Sequence, residues 1–393
     1  MLRSEGAVEA PFWSLGFRPF FLLGAAFSCL ALCGWILWLA GLLTHWQPMG
    51  GMLAWHRHEM PFGFAVAIVA GFLLTAVPNW TGLPGLHGKP LMLLVALWLV
   101  ARLAWLLPLP PLAMLVLQLL FLPALALILG RQLFLAGKRN NYPIIAVLGF
   151  MAICQAVTLS GILQDDVLLQ RRGVLAGLWL IAALMTVIGG RVIPFFIQRG
   201  LSRTQGFAPS PWTDRVLLLG TVLIAGSIVA GFGDAPTVWL APVYLLVAVL
   251  HAVRLVRWHV PGLWRVPLLW SLYLAYAWLW VAALGMVAWH LGFLAQESLA
   301  THALAVGGVG GMILAMISRV SLGHTGRALK PAWAMSLAFV AVNIAAVCRI
   351  AWVPFATSGL WVSGVLWALA FALFVVHYAA ILLGPRFSEP PRP

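Results

Sequence analysis

The chain has 393 residues, 63% of them hydrophobic and only 8% charged, with a formal net charge of +14 and a mean hydropathy of +1.02. Soluble domains carry about a quarter of their residues as charges, so this composition excludes a water-facing globule. The 23 lysines and arginines are scattered singly through short segments, which excludes a basic nucleic-acid-binding domain; no nucleic acid partner is expected.

The bilayer is therefore the expected partner. The apolar runs are about twenty residues long and do not alternate, so they read as helices rather than barrel strands. Residues 1–19 carry Arg3, Glu5, Glu9 and Arg18 without a short apolar core, so no cleavable leader is expected. The predicted spans are 20–43, 53–77, 91–107, 112–131, 143–163, 173–194, 215–232, 237–256, 267–291, 299–317, 332–352 and 358–383. Turn-forming clusters such as Pro78-Asn79, Pro84-Gly85 and Pro108–Pro111 separate them. The fold class is an all-α polytopic membrane protein of about twelve helices in a single transmembrane domain. Cys29, Cys33, Cys154 and Cys348 lie inside apolar runs, form no CxxC pair and read as packing residues.

The basic residues orient the bundle. With the N-terminus inside, Arg171 and Arg172 alone fall on outer loops, Arg57, Arg102 and Arg349 fall within spans, and all the rest lie on the inside. This bias predicts cytoplasmic N- and C-termini and an even helix count. It also sorts polar residues by depth. His56, His58, Glu59 and His302 enter at the outer ends of helices 2 and 10, as do the three in-span arginines on helices 2, 3 and 11. Arg102 is expected to snorkel to the interface. An inner cluster gathers His87, Arg191, Arg319, His324 and Arg327. A repeat relation links helices 2 and 10: His58 and His302 are each followed by glycine five residues on (Gly63, Gly307) and by Thr-Gly at +23 (Thr81-Gly82, Thr325-Gly326). A spacing of eight helices suits three units of four.

The sharpest motif is Trp55-His56-Arg57-His58-Glu59-Met60-Pro61-Phe62-Gly63. Four consecutive polar residues at the mouth of a membrane helix are costly and point to function; the bland alternative is a solvated loop with Pro61 in the first helical turn. Imidazole is a common metal and haem ligand. His56 and His58, about 200° apart on a regular helix, cannot easily grip one ion and would face different partners. A haem bridging His302 and one of these two is the natural construction, leaving the other for a second haem or a copper ion. Gly307-Gly308-Val309-Gly310-Gly311 would let a backbone or a flat macrocycle approach closely. Arg57 and Arg349 are candidates for the haem carboxylates, and Glu59 for a proton relay, the catalytic role, for holding a histidine ring, or simply for the salt-bridge partner of an arginine. Arg191, Arg319 and His324 read either as positive-inside residues or as an inner mouth for protons or a quinone head group.

These residues resemble the NnrS family along nearly the whole chain: Gly16-Phe17-Arg18-Pro19-Phe20-Phe21-Leu22, the Trp55–Gly63 motif, Arg191-Val192-Ile193-Pro194-Phe195-Phe196, and the block from His302 to Arg327. The resemblance implies a bacterial inner-membrane protein with haem and copper, tied to denitrification and the response to nitric oxide. The helix plan also looks like that of haem–copper oxidases and nitric oxide reductases, although the histidine expected on helix 6 and the pair on helix 7 are missing. The reading is a protein with haem b, one or two groups, and with copper left open as a further cofactor, reducing nitric oxide near the periplasmic face with quinol-derived electrons. Its rivals are a non-catalytic haem protein that binds or senses nitric oxide, and a transporter.

Overall fold

In the computed structural model, residues 10–387 are described, and they are all helix and connection without a strand. Residues 1–9 and 388–393, which include Arg3, Glu5, Glu9 and Arg392, lie outside the described residues. Twelve long helices follow one another: α1 Phe17–Leu39, α2 Gly51–Thr81, α3 Gly88–Ala104, α4 Pro111–Leu135, α5 Arg139–Leu163, α6 Val167–Gly200, α7 Pro211–Val229, α8 Val238–Trp258, α9 Pro267–His290, α10 Glu297–His324, α11 Trp333–Trp352 and α12 Ser358–Leu383. Eleven are long and apolar enough to cross a bilayer, and α3, at 17 residues, falls just short. The chain is a multi-pass membrane protein.

Local chemistry explains the helix boundaries and bends. Asp166 accepts the Leu169 N–H and caps α6, which starts six residues before the expected span and ends six after it. At 34 residues, α6 is roughly 50 Å long and overshoots the hydrocarbon core. The bend of α4 at Leu120 lies one turn before Pro123, which has no N–H for the Leu119 carbonyl. Arg18 donates to the Leu382 carbonyl (2.9 Å) and to that of Gly384, satisfying the free C-terminal end of α12 and tying it to α1. The Gly16–Leu22 motif thus has a structural purpose.

α2 and α10 are the central helices. In their most apolar stretches 78% and 83% of residues are buried, against 33–56% for the other spans. α1 and α6 each pack against both of them. The repeat relation has a backbone counterpart. A wide π-helical stretch follows each histidine, Glu59–Ala65 after His58 and Ala303–Gly310 after His302. Each helix also ends at its Thr-Gly with the glycine left-handed, φ 72° at Gly82 and 74° at Gly326. The third π-helical stretch among the described residues is Cys348–Trp352, around Arg349. All three lie at the end of the bundle where α2 and α10 begin. Such stretches cluster at functional sites because they re-aim side chains.

Candidate functional site

The Trp55–Gly63 motif is not a loop: α2 starts at Gly51, and Pro61 sits well inside it. Its residues are thereby divided between two opposite surroundings.

On one side, α1, α2, α6, α10, α11 and α12 enclose a cavity of about 330 Å³, the low end of the range for small-molecule sites. His56 and Arg57 from α2, Ser298 and His302 from α10 and Arg349 from α11 line it, among apolar side chains such as Leu32, Phe64, Leu178 and Val306. His302 donates from Nδ1 to the Ser298 carbonyl (2.7 Å), which fixes its tautomer and leaves Nε2 with the lone pair. The His56 ring stacks on Trp35, centroids 4.4 Å apart and planes 16° from parallel, and its buried Nδ1 has no hydrogen-bond partner. Arg349 donates to Ser298 Oγ (3.1 Å) and Arg57 to Gln170 Oε1 (3.3 Å). Neither arginine is paired with a carboxylate among the described residues. At the mouth, Arg171 of α6 forms an ion pair with Glu297 of α10 and donates to the Asp234 carbonyl (3.1 Å), while Arg172 pairs with the Asp234 side chain.

On the other side, α2 faces a sealed ionic network with α3, α4 and α5. Glu59 accepts from His58 Nδ1 (2.8 Å) and Trp105 Nε1 (2.8 Å), and its second oxygen lies 2.9 Å from Arg102 Nε, an ion pair off the line of a hydrogen bond. Arg102 donates onward to Gln118 Oε1 (2.6 Å). Gln155 donates to the Gln118 carbonyl (3.0 Å) and to His58 Nε2 (3.3 Å). His58 and Glu59 are both fully buried. A Cβ on Gly63 would lie 2.6 Å from Arg102 Nη1 and 2.8 Å from Glu59 Oε2, so this motif glycine makes the space for the ion pair. Arg102 therefore does not snorkel: a carboxylate one helix away holds it inside.

The outer residues thus fall into two sets. His56, His302, Arg57 and Arg349 share the cavity, whereas His58 and Glu59 do not line it. The inner residues are not drawn into one site: Arg191 reaches Asn141 (2.7 Å), the Arg319 guanidinium lies 4.0 Å from the centre of the Phe196 ring, and the His324 ring faces Phe17 at 5.6 Å. The glycine run of α10 also differs from expectation. A Cβ on Gly307 would collide with Trp278 at 2.3 Å and one on Gly310 with Trp367 at 2.2 Å, so tryptophans occupy the notches expected to admit either a backbone or a macrocycle.

Sequence reasoning missed Trp35, Ser298 and the Arg171–Glu297 pair. A signal for the last existed, since the chain has only nine acidic residues and Glu297 stands five residues before His302. It also missed a further network, in which the buried Arg254 donates to Tyr276 (2.7 Å) and pairs with the half-exposed Asp214, and the Tyr276 hydroxyl meets His251 Nδ1 at 3.0 Å. Its signal was Gly190, where a Cβ would lie 3.0 Å from the Arg254 guanidinium.

No curated protein matches the chain. The profile described as NnrS protein matches residues 11–386, nearly the whole sequence, and the chain belongs to the NnrS family.

Proposed function

We propose that this NnrS-family membrane protein would hold one b-type haem between α2 and α10 through His56 and His302, and that it serves the nitric oxide response by binding nitric oxide, for which one of the two imidazoles would have to give up its place to the gas. The observation that carries the reading is the composition of the outer cavity. Two imidazoles from different helices line it together with two arginines that have no carboxylate of their own. The donor set fits the group: histidine is a haem ligand, and arginine pairs with carboxylates such as the two that haem carries. When bound, haem would supply an iron centre for a diatomic gas. The protein's part is to orient the ligands through Ser298 and Trp35, to neutralise carboxylates with Arg57 and Arg349, and to exclude water with the apolar walls.

The residues present do not fit a copper site of three or more His, Cys, Asp or Glu side chains, since none gathers among the described residues. Glu59 is engaged by His58, Trp105 and Arg102, which holds its charge in place rather than freeing it as a relay. That arrangement favours binding over reduction with quinol-derived electrons. A transporter reading has less support, because transporters bind on broken helices at the midplane, and α2 and α10 run unbroken past the cavity. The charge bias supports an inner-membrane orientation with both termini cytoplasmic and the cavity in the periplasmic half; a C-terminal reporter active only outside would reverse it.

The deciding experiment is the haem content of the purified protein, followed by titration with nitric oxide in the Soret region and by nitric oxide consumption with a quinol donor. One haem per chain, a spectral shift and no turnover are expected. Absence of haem would remove the reading, and sustained turnover would establish the reductase instead.

A further inference from the structure

A second cavity, of about 80 Å³, lies among α1, α2, α6 and α10. Val309 lines both this cavity and the histidine-lined one, so the two stand on either side of one side chain. Val309 belongs to the π-helical stretch of α10, where the backbone is displaced from the regular helix.

The walls are apolar throughout. Ile68 and Phe72 of α2, Leu184 and Met185 of α6, and Met312 and Met316 of α10 line it, and no polar side chain does. Water entering such a space finds no hydrogen-bond partner, although the volume exceeds the 10–15 Å³ or so that one water needs. An ion or a polar molecule would lose its hydration without compensation. A small neutral molecule with almost no dipole loses little and gains dispersion contacts; enclosed apolar cavities take up xenon, and this one, half open where Val69, Phe72, Ile188 and Val192 are only half-buried, can be entered by a gas dissolved in the surrounding apolar phase. Three of the wall residues are methionines, whose unbranched, polarizable side chains shift among rotamers at low cost. They suit a space that must admit and release a guest.

We infer that this cavity is a binding site for a small neutral gas molecule, one side chain from the histidine-lined cavity. The chemical class is the neutral diatomic. The naming of nitric oxide as that gas, and of haem as its destination, rests on the function proposed above; the cavity itself does not. Its apolar walls admit any gas of this size, so selection among gases belongs to the neighbouring site. Guests held there raise the local gas concentration beside the imidazoles, and Val309, which lines both spaces, stands on the route between them.

The test uses the purified full chain, with xenon as the probe. Under xenon pressure, 129Xe exchange spectroscopy or anomalous scattering from crystals should reveal a bound atom among α2, α6 and α10. Met312→Trp, which fills the cavity from its wall, should abolish that signal. Val309→Ala offers a milder change and should keep it. In haem-loaded protein, Met312→Trp should slow bimolecular carbon monoxide rebinding after photolysis several-fold and raise the geminate fraction, since the photolysed gas loses its place of escape, and Val309→Ala should do the opposite. Xenon uptake by a chain without haem would keep the gas site and remove only the haem reading. Absence of xenon from the folded wild-type protein would overturn the gas site whatever the haem content, as would xenon binding that survives Met312→Trp.

Discussion

His56 and His58 stand two residues apart on α2 and live under opposite rules. Around His58 the charges are closed: Glu59 answers Arg102, Gln118 accepts from Arg102, and Gln155 donates to His58, which leaves Gln155 Oε1 as a buried neutral acceptor without a partner but no charge unanswered. Around His56 the cavity is open: Arg57 and Arg349 have only neutral partners, and a ring nitrogen of His56 has none. A membrane interior makes uncompensated charge costly. Where the charges balance internally, the structure has bought rigidity. Where cations stand unanswered, they mark a place whose balance is completed by a guest.

The largest effect should come from separating the two histidines. His56→Ala and His302→Ala should each abolish most of the haem absorbance of the purified protein, and His58→Ala should retain it. Haem lost from His58→Ala and kept in His56→Ala would exchange the roles of the two faces and undo the comparison.

Next in size is the closed network. Removing one partner of a buried ion pair costs about 3–5 kcal/mol, because the other charge is stranded. Arg102→Leu and Glu59→Leu should therefore lower the thermal midpoint strongly, and the double substitution should recover much of the loss. Gly63→Ala should cost about 1–3 kcal/mol by pushing a methyl group into the ion pair. Thermal unfolding in detergent, read by tryptophan emission, measures all of these. A single substitution at Arg102 that leaves the midpoint unchanged would mean that water reaches the network.

How far the site was legible follows from the same contrast. Twelve apolar runs and their punctuation are one-dimensional properties, and they carry over to α1–α12, eleven of which are long and apolar enough to cross a bilayer. The two-residue spacing also predicts that His56 and His58 face different ways. It does not say which of them faces α10, since that depends on how α2 is rotated against its neighbours. The pairing of Arg102 with Glu59 joins residues 43 positions apart, and no local pattern announces it. The glycines of α10 could equally admit a macrocycle or an indole, and only the positions of Trp278 and Trp367 decide. Trp35, one of 21 tryptophans, is indistinguishable in the sequence from an interface anchor.

The arginines of the open side should act on potential rather than on stability. Arg349→Leu and Arg57→Leu should leave the thermal midpoint nearly unchanged, since each donates to a neutral partner and strands no buried carboxylate. Their loss should lower the reduction potential of the bound haem's iron, because a cation nearby favours the reduced, less positive state. For a one-electron couple about 1.4 kcal/mol corresponds to roughly 59 mV, so even a partly screened charge is measurable. Unchanged potentials in both variants would send the propionates elsewhere and leave these residues as interface anchors.

The smallest effect is expected at Trp35. Its indole stacks on His56 and fixes the plane of the imidazole. Aromatic pairs of this kind contribute about 0.5–1.5 kcal/mol beyond the area they bury. Trp35→Leu should keep the apolar wall but free the ring to rotate. Haem content should therefore stay near that of the wild type, while the spread of ligand-plane orientations grows. Low-temperature electron paramagnetic resonance of the oxidised protein reads that spread, because the low-spin g-values depend on the angle between the two imidazole planes. Broadened or shifted g-values with nearly normal haem retention would assign Trp35 to positioning. Complete loss of haem would show instead that the stack holds His56 in the cavity at all, and unchanged g-values would mean that α2 alone sets the ring's orientation.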